Sequence, residues 1–122
     1  MKKEKLITFS VIVLILLIAG GIIYFKSTGA AVKSVVSEAE AKWIGSHSVV
    51  YTQAGCSHCI EQENLFGANV KYLHIIDCTA NTDNTLVCNL GGITVTPTWI
   101  INGEKYTGVQ SIEKLKELTG YK

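Results

Sequence analysis

Residues 51–59 read YTQAGCSHC, and this stretch carries the most structural information in the chain. A short β-rich run, residues 48–52, enters it, and a small polar loop then leads to two cysteines three positions apart. The residues that follow, 59–66, have helical character. Cysteines with this spacing at the start of a helix can close a small disulfide ring. The stretch therefore predicts a strand, a loop and a helix that presents Cys56 and Cys59 at its start.

Hydrophobic periodicity and turn signals place further elements on both sides of this unit. The other predicted elements are a helix over 32–44, a strand over 71–77 apolar enough to be central in a sheet, a helix over 82–89, strands over 98–101 and 104–107, and a last helix between Ser111 and Gly120. Asn102 and Gly103 form a strong two-residue hairpin signal between the last two strands. Early alternation implies a parallel pair, and the hairpin adds an antiparallel edge. The order predicts an α/β chain with the thioredoxin fold, a mixed four-stranded sheet flanked by helices.

The N-terminal residues differ in composition from the rest. Residues 6–25 contain no charged side chain, and twenty helical residues span roughly 30 Å, the thickness of a bilayer core. We expect a basic cytoplasmic N-terminus over 1–5, a transmembrane anchor over 6–25, a linker over 26–31 and the folded domain over 32–122. The lysines before the apolar run are expected to stay on the cytoplasmic side, which places the folded domain on the other side of the membrane. The expected location is the cell membrane, single-pass, with the C-terminal domain extracytoplasmic.

Two other interpretations of the apolar segment stay open. It could be a signal peptide cleaved near residues 28–30, although it is longer than the 7–15 apolar residues usual for one. It could also be a buried helix, although no polar residue interrupts 11–18. Anchor and signal peptide both export the domain to a compartment where disulfides persist.

The charge of the chain gives no reason to expect a nucleic-acid partner. The 122 residues carry a formal net charge of +1, too small for a phosphate-binding surface to follow from composition. After residue 30 there are seven lysines and nine acidic residues, a net charge of −2.

The chemistry expected of Cys56 and Cys59 is thiol–disulfide exchange. A sulfur at a helix N-terminus lies near free N–H groups and the positive end of the helix dipole, which favour the nucleophilic thiolate. Cys56 is therefore expected to attack, and the more buried Cys59 to resolve the mixed disulfide. A positive charge on His58 would further stabilise the reduced form and make the disulfide more oxidising. We expect an oxidase- or isomerase-leaning enzyme that needs no cofactor.

Four other uses of the cysteine pair compete with exchange. Half of a zinc site is disfavoured because Cys78 and Cys88 lack paired zinc-ribbon spacing. Haem attachment needs a histidine after the second cysteine, where Ile60 stands. A thioredoxin-fold copper metallochaperone is a second hypothesis, since two thiolates and a histidine suit soft metals. A non-catalytic tethered binding module with an inert bridge is a third. No metal is expected under the leading hypothesis.

The chain resembles the thioredoxin-like domain attached to bacterial and plant homologues of vitamin K epoxide reductase. The likeness covers about residues 48–121 and is specific only in combination, because a CxxC motif alone is common. The stretches that carry it are YTQAGCSHC (51–59), EQENLFG (61–67) and GITVTPTWIING (92–103), together with Asp77-Cys78 and Cys88.

The resemblance implies partners and further site residues. It implies electron exchange with a quinone-linked, vitamin K epoxide reductase-like membrane oxidase and with exported proteins that carry thiols or disulfides. It also implies that Pro97 is a cis-proline facing the cysteines and that Thr96 offers backbone groups to a substrate. Two departures weaken a reductase role: Gly55 replaces the tryptophan of ordinary thioredoxins, and Val49 and Val50 occupy the stretch where their buried acid would be.

Cys78 and Cys88 lie outside the reactive motif. In an exported domain an even number of cysteines favours a second, structural disulfide. The alternative is that this pair relays electrons to Cys56 and Cys59.

Overall fold

The computed structural model describes the backbone of residues 2–27 and 36–122, with side chains for 2–19 and 36–122. The chain divides into two units, residues 1–31 and 32–122. The first contains helix α1, Lys2–Ser27, and the large apolar side chains between residues 6 and 18 are exposed. Judged by length and hydropathy together, none of the helices within the described residues qualifies as a membrane span. The span predicted for residues 6–25 is therefore not confirmed.

The second unit contains the predicted alternation of helices and strands. Its elements are α2 (Glu38–Ser46), β1 (Ser48–Thr52), α3 (Ser57–Phe66), a 3-10 helix (Gly67–Tyr72), β2 (Ile75–Asp77), α4 (Thr82–Leu90), β3 (Thr98–Ile101), β4 (Glu104–Thr107) and α5 (Ile112–Thr119).

The four strands form one mixed sheet in the order β2-β1-β3-β4. β1 runs parallel to β2 and antiparallel to β3, and β3 pairs antiparallel with β4. Asn102 (φ 53°) and Gly103 (φ 82°) turn the chain between β3 and β4, and positive φ at both central residues is what a type I′ hairpin requires. A mixed four-stranded sheet flanked by helices, the architecture predicted from the sequence, is thereby confirmed.

Helix α2 begins later than the periodicity predicted. Ser37 caps it by accepting a hydrogen bond from the Glu40 N–H, and the Glu40 carboxylate accepts one from the Ser37 N–H in return. This capping box fixes the first helical residue at Glu38. The predicted helix is therefore wrong over residues 36–37, while residues 32–35 lie outside the part of the chain that is described.

The strand predicted over residues 71–77 is shorter and lies elsewhere in the sheet. Only Ile75–Asp77 is strand, and it occupies an edge because β1 and β3 take the centre. The preceding residues form the 3-10 helix, whose last carbonyl, that of Tyr72, packs directly on Gly45 of α2. A Cβ at Gly45 would collide with this oxygen, so the contact between α2 and the 3-10 helix requires glycine.

The hydrophobic core joins helix α3 to the sheet. Trp99 of β3 is fully buried, and its ring centroid lies 6.1 Å from that of Phe66 at the end of α3. Truncating a buried aromatic residue to alanine typically costs about 3–5 kcal/mol, so this pair fixes α3 firmly. The buried cluster consists of Val36, Ala41, Ile44, Val50, Phe66, Trp99, Ile101, Ile112 and Leu115.

Candidate active site

Cys56 and Cys59 lie at the start of α3, as predicted. Cys56 is the N-cap residue with extended backbone (φ −85°, ψ 109°), and its sulfur accepts a hydrogen bond from the Cys59 N–H at 3.2 Å. The two cysteines form a disulfide with their Cα atoms 5.2 Å apart. Cys56 is half-buried, whereas Cys59 is 2% exposed. An incoming thiolate can therefore approach the Cys56 sulfur and not the Cys59 sulfur.

The loop before the motif has a glycine where the backbone demands one. Gly55 has φ +75°, in the left-handed region that side chains with a Cβ rarely adopt. This conformation accounts physically for the absence of a tryptophan at this position.

Thr96, the residue before Pro97, contacts the disulfide at Cys56. The peptide bond between Thr96 and Pro97 is cis, as the family resemblance implied. The Thr96 hydroxyl lies 3.4 Å from Cys56 Sγ and donates to it, and the Thr96 carbonyl oxygen lies 3.5 Å from the same sulfur. Cys56 is thus held between the start of α3 and the residue before the cis-proline.

His58 follows Cys56 by two residues in the first turn of α3, and its tuning role stays a prediction. Its imidazole is exposed, and no hydrogen bond joins it to Cys56 in the described part of the chain. It lines a groove of about 570 Å³ beside the motif. We call this the lateral groove; its lining residues are His58, Glu61, Val95, Thr96, Thr107, Gly108 and Val109.

Gln62 is a buried residue of α3 for which the sequence predicted no role. Its Oε1 accepts from Trp99 Nε1 at 3.0 Å and from the Gln110 N–H at 2.6 Å, and its Nε2 donates to the Gln110 carbonyl at 3.1 Å. One amide therefore ties α3 to β3 and to the loop between β4 and α5 that borders the lateral groove. Its spacing from Cys59, three residues along one helix face, was the available signal.

The second cysteine pair also forms a disulfide. Cys78 follows β2, Cys88 lies in α4 and is 3% exposed, and their Cα atoms are 5.8 Å apart. A smaller cleft of about 190 Å³ is lined by both cysteines and by Gln53 and Thr96. The second bridge thus lies close to the loop that contacts Cys56.

A hydrogen-bonded chain links the two disulfide regions. Thr79 donates to Asp77 from its hydroxyl at 2.7 Å and from its N–H at 2.8 Å. The same hydroxyl accepts from the Ala54 N–H at 3.0 Å. The two bonds from Thr79 lower the pKa of the Asp77 carboxyl below its ordinary value. The bond from the Ala54 N–H holds the loop that precedes Cys56.

The arrangement suits redox chemistry at sulfur. Within the described ranges, no cluster of three or more His, Cys, Asp or Glu side chains is placed to hold a metal ion. The Cys56 sulfur, in a half-buried residue at a helix N-terminus, can be attacked by a thiolate, and the buried Cys59 then leaves as a thiolate.

The fold and the site together define a class. A four-stranded mixed sheet flanked by helices, with a CxxC disulfide at a helix start and a cis-proline beside it, is consistent with a thioredoxin-like protein.

Comparison with known proteins points to the same chemistry. No protein-family model matches the chain. The chain is similar to the thiol-disulfide oxidoreductase LTO1 of Arabidopsis thaliana, with 31% identity over 105 residues. The match covers 80% of this chain and 28% of LTO1, so the chain spans little more than a quarter of the length of that relative.

Proposed function

We propose that this protein is a thiol–disulfide oxidoreductase that exchanges electrons with protein thiols through Cys56 and Cys59. The observation that carries the proposal is the asymmetry of the pair: Cys56 is half-buried at the helix start and Cys59 is almost fully buried. The similarity to a thiol-disulfide oxidoreductase supports it.

The proposed reaction runs in two exchange steps. A client thiolate attacks Cys56 Sγ, the bond to Cys59 breaks, and Cys59 leaves as a thiolate. A second client thiolate then attacks the client sulfur of the mixed disulfide and expels Cys56 as a thiolate. The client loses two electrons and two protons and gains a disulfide, and the two cysteines take up those electrons and protons.

The groups around Cys56 favour the oxidising direction. The Cys59 N–H and the Thr96 hydroxyl both donate to its sulfur, and donors that stabilise a released thiolate stabilise the reduced state. We propose that oxidation of clients is the direction of work, with His58 adding to this bias.

The proposed setting is the outer face of a membrane. Residues 6–25 lack charge, and the large apolar side chains of α1 up to Ile18 are exposed. We propose that this segment attaches the protein to the membrane and that a separate quinone-linked, vitamin K epoxide reductase-like oxidase accepts its electrons. Two disulfides in one small domain fit an oxidising compartment. A reporter fused after Lys122 should be active outside the cytoplasm, and activity inside would contradict this location.

Single-turnover exchange tests the proposed activity. The oxidised full chain, in nonionic detergent, is mixed with a reduced dithiol peptide, and thiols are counted by mass tagging. We expect one peptide disulfide formed for each Cys56–Cys59 pair reduced, and none in Cys56→Ser. Peptide oxidation that persists in Cys56→Ser would refute the proposal.

A further inference from the structure

We infer that the lateral groove selects clients with a lysine or arginine close to the reacting cysteine, through the carboxylate of Glu61. The inference rests on the proposed exchange function and adds to it the chemistry of the preferred client. It makes Glu61 a specificity-determining residue that takes no part in the exchange itself.

The groove shares one residue, Thr96, with the contacts of the reacting sulfur. Thr96 lines the groove and also contacts Cys56 through its hydroxyl at 3.4 Å. A client cysteine that attacks Cys56 therefore brings its neighbouring residues close to Thr96, which borders both this groove and the smaller cleft beside Cys78 and Cys88. A volume of about 570 Å³ accommodates one or two side chains of such a segment.

The groove combines one carboxylate with an apolar wall. Glu61 is the only Asp, Glu, Lys or Arg among its lining residues, and no ion pair of the described residues involves it. Val95, 51% exposed, and Val109 supply apolar surface. Lysine and arginine pack their aliphatic stems on such surface while the charged end reaches an anion. An acidic client side chain would meet a like charge.

The wall opposite α3 is held in place. Gln62, the neighbour of Glu61, receives the Gln110 N–H at 2.6 Å and donates to the Gln110 carbonyl at 3.1 Å. The loop that carries Gly108 and Val109 is thus fixed relative to the helix that carries Glu61. A preformed groove can discriminate between side chains without first being ordered.

The expected preference is modest because Glu61 is exposed. Solvent-exposed ion pairs correspond to about a two- to fivefold change in a rate or binding constant. Salt screens such pairs, so the preference should shrink as ionic strength rises.

The test compares dithiol peptides that differ at one position. The peptides carry Lys, Gln or Glu within two residues of the attacking cysteine, on either side. Their second-order rate constants with the oxidised full chain are measured in nonionic detergent at pH 8, where ordinary imidazoles are uncharged. Each is divided by the rate constant of the same peptide with oxidised glutathione, which removes intrinsic differences in thiol reactivity.

The wild-type chain should oxidise the Lys peptide about two- to fivefold faster than the Glu peptide, with Gln between them. Glu61→Lys should invert the order. Glu63→Lys is the matched control, since Glu63 lies on the same helix and lines a different surface, with Asn64 and Gly67; it should keep the wild-type order.

The outcomes distinguish failure of the proposed client preference from failure of the proposed exchange activity. Equal rates for the three peptides, or the same order in wild type and Glu61→Lys, would overturn the inference and leave exchange intact. Inversion by Glu63→Lys as strong as that by Glu61→Lys would also overturn it, because the field of the whole domain would then be responsible. Failure of all peptides to react would overturn the proposed function itself.

Discussion

At the scale of single residues, the surroundings of the Cys56 sulfur set its chemistry. Two donors reach it, the Cys59 N–H at 3.2 Å and the Thr96 hydroxyl at 3.4 Å, and one acceptor, the Thr96 carbonyl, lies at 3.5 Å. A thiolate gains from the donors and from the helix terminus, while a protonated thiol can donate to the carbonyl. The balance favours release of Cys56 as a thiolate.

His58→Ala should lower the reduction potential of the Cys56–Cys59 disulfide by roughly 5–20 mV. The attraction between two exposed opposite charges, here a charged His58 and the Cys56 thiolate, is worth about 0.2–1 kcal/mol, and about 1.4 kcal/mol corresponds to 30 mV for this two-electron couple. Equilibration of the full chain with glutathione buffers measures the shift. His74→Ala, an exposed histidine before β2, is the control and should leave the potential unchanged. A potential unaffected by His58→Ala would assign the tuning to the helix terminus alone.

At the scale of elements, α2 and α5 are joined by polar contacts at two points. Trp43 Nε1 donates to the Thr119 carbonyl at 3.0 Å, and Lys116 of α5 pairs with Glu40 in the first turn of α2. Lys116, followed by the N–H and hydroxyl of Ser37, lowers the pKa of Glu40 to about 2. The same carboxylate thus caps one helix and holds another.

Glu40→Gln should destabilise the second unit by about 1 kcal/mol at pH 7, the upper end for ion pairs that are partly exposed. Because the folded pKa of about 2 lies below the unfolded value near 4.5, the charge stabilises fully above pH 4.5. That contribution is lost as the pH falls from 4.5 towards 2. Denaturant unfolding across this range should show wild type and variant converging at the acid end.

Glu38→Gln is the control for this pH dependence. Glu38 pairs with Lys42 within the same helix, and both side chains are more than half exposed. We expect an effect of no more than about 0.5 kcal/mol. A wild-type stability advantage over Glu40→Gln that stays constant down to pH 2 would contradict the assignment of the low pKa to Glu40.

Local elements could be predicted from the sequence better than the order of the strands in the sheet. The strand, loop and helix around Cys56 and the hairpin at Asn102 and Gly103 follow from local turn and capping chemistry. The edge position of β2 depends on pairing between distant residues, such as Val50 with Ile75, which periodicity cannot reveal. The partners of Gln62, 37 and 48 residues away, were equally hidden. The capping box at Ser37 was readable, but apolar periodicity running across it pointed to an earlier start.

At the scale of the whole molecule, the two disulfides occupy different settings. One closes the reactive motif at the start of α3, and the other joins the end of β2 to α4 across a separation of ten residues. The second holds the polar segment that contains Thr79, whose hydroxyl receives the Ala54 N–H. We expect the Cys78–Cys88 disulfide to stabilise the folded domain rather than to carry electrons.

The double variant Cys78→Ala with Cys88→Ala should lose about 2–3 kcal/mol of stability, in the chain-entropy model for a small ring. For a domain of this size that is a fall in Tm of roughly 10–20 °C. Thermal unfolding followed by circular dichroism measures it, and exchange with dithiol peptides should stay within about twofold of wild type. An unchanged Tm combined with loss of electron transfer to the membrane oxidase would show instead that the pair is a relay.

The most direct test of the central claim is to trap the mixed disulfide. Without Cys59 there is no sulfur to resolve an adduct, so reduced Cys59→Ser should attack a disulfide-bonded peptide with Cys56 and remain joined to it. Mass spectrometry of the full chain should find the peptide on Cys56 in that variant. The reduced Cys56→Ser variant should carry no adduct, because Cys59 is buried. An adduct on Cys59 in Cys56→Ser, formed as fast as the one on Cys56, would contradict the assignment of Cys56 as the attacking sulfur.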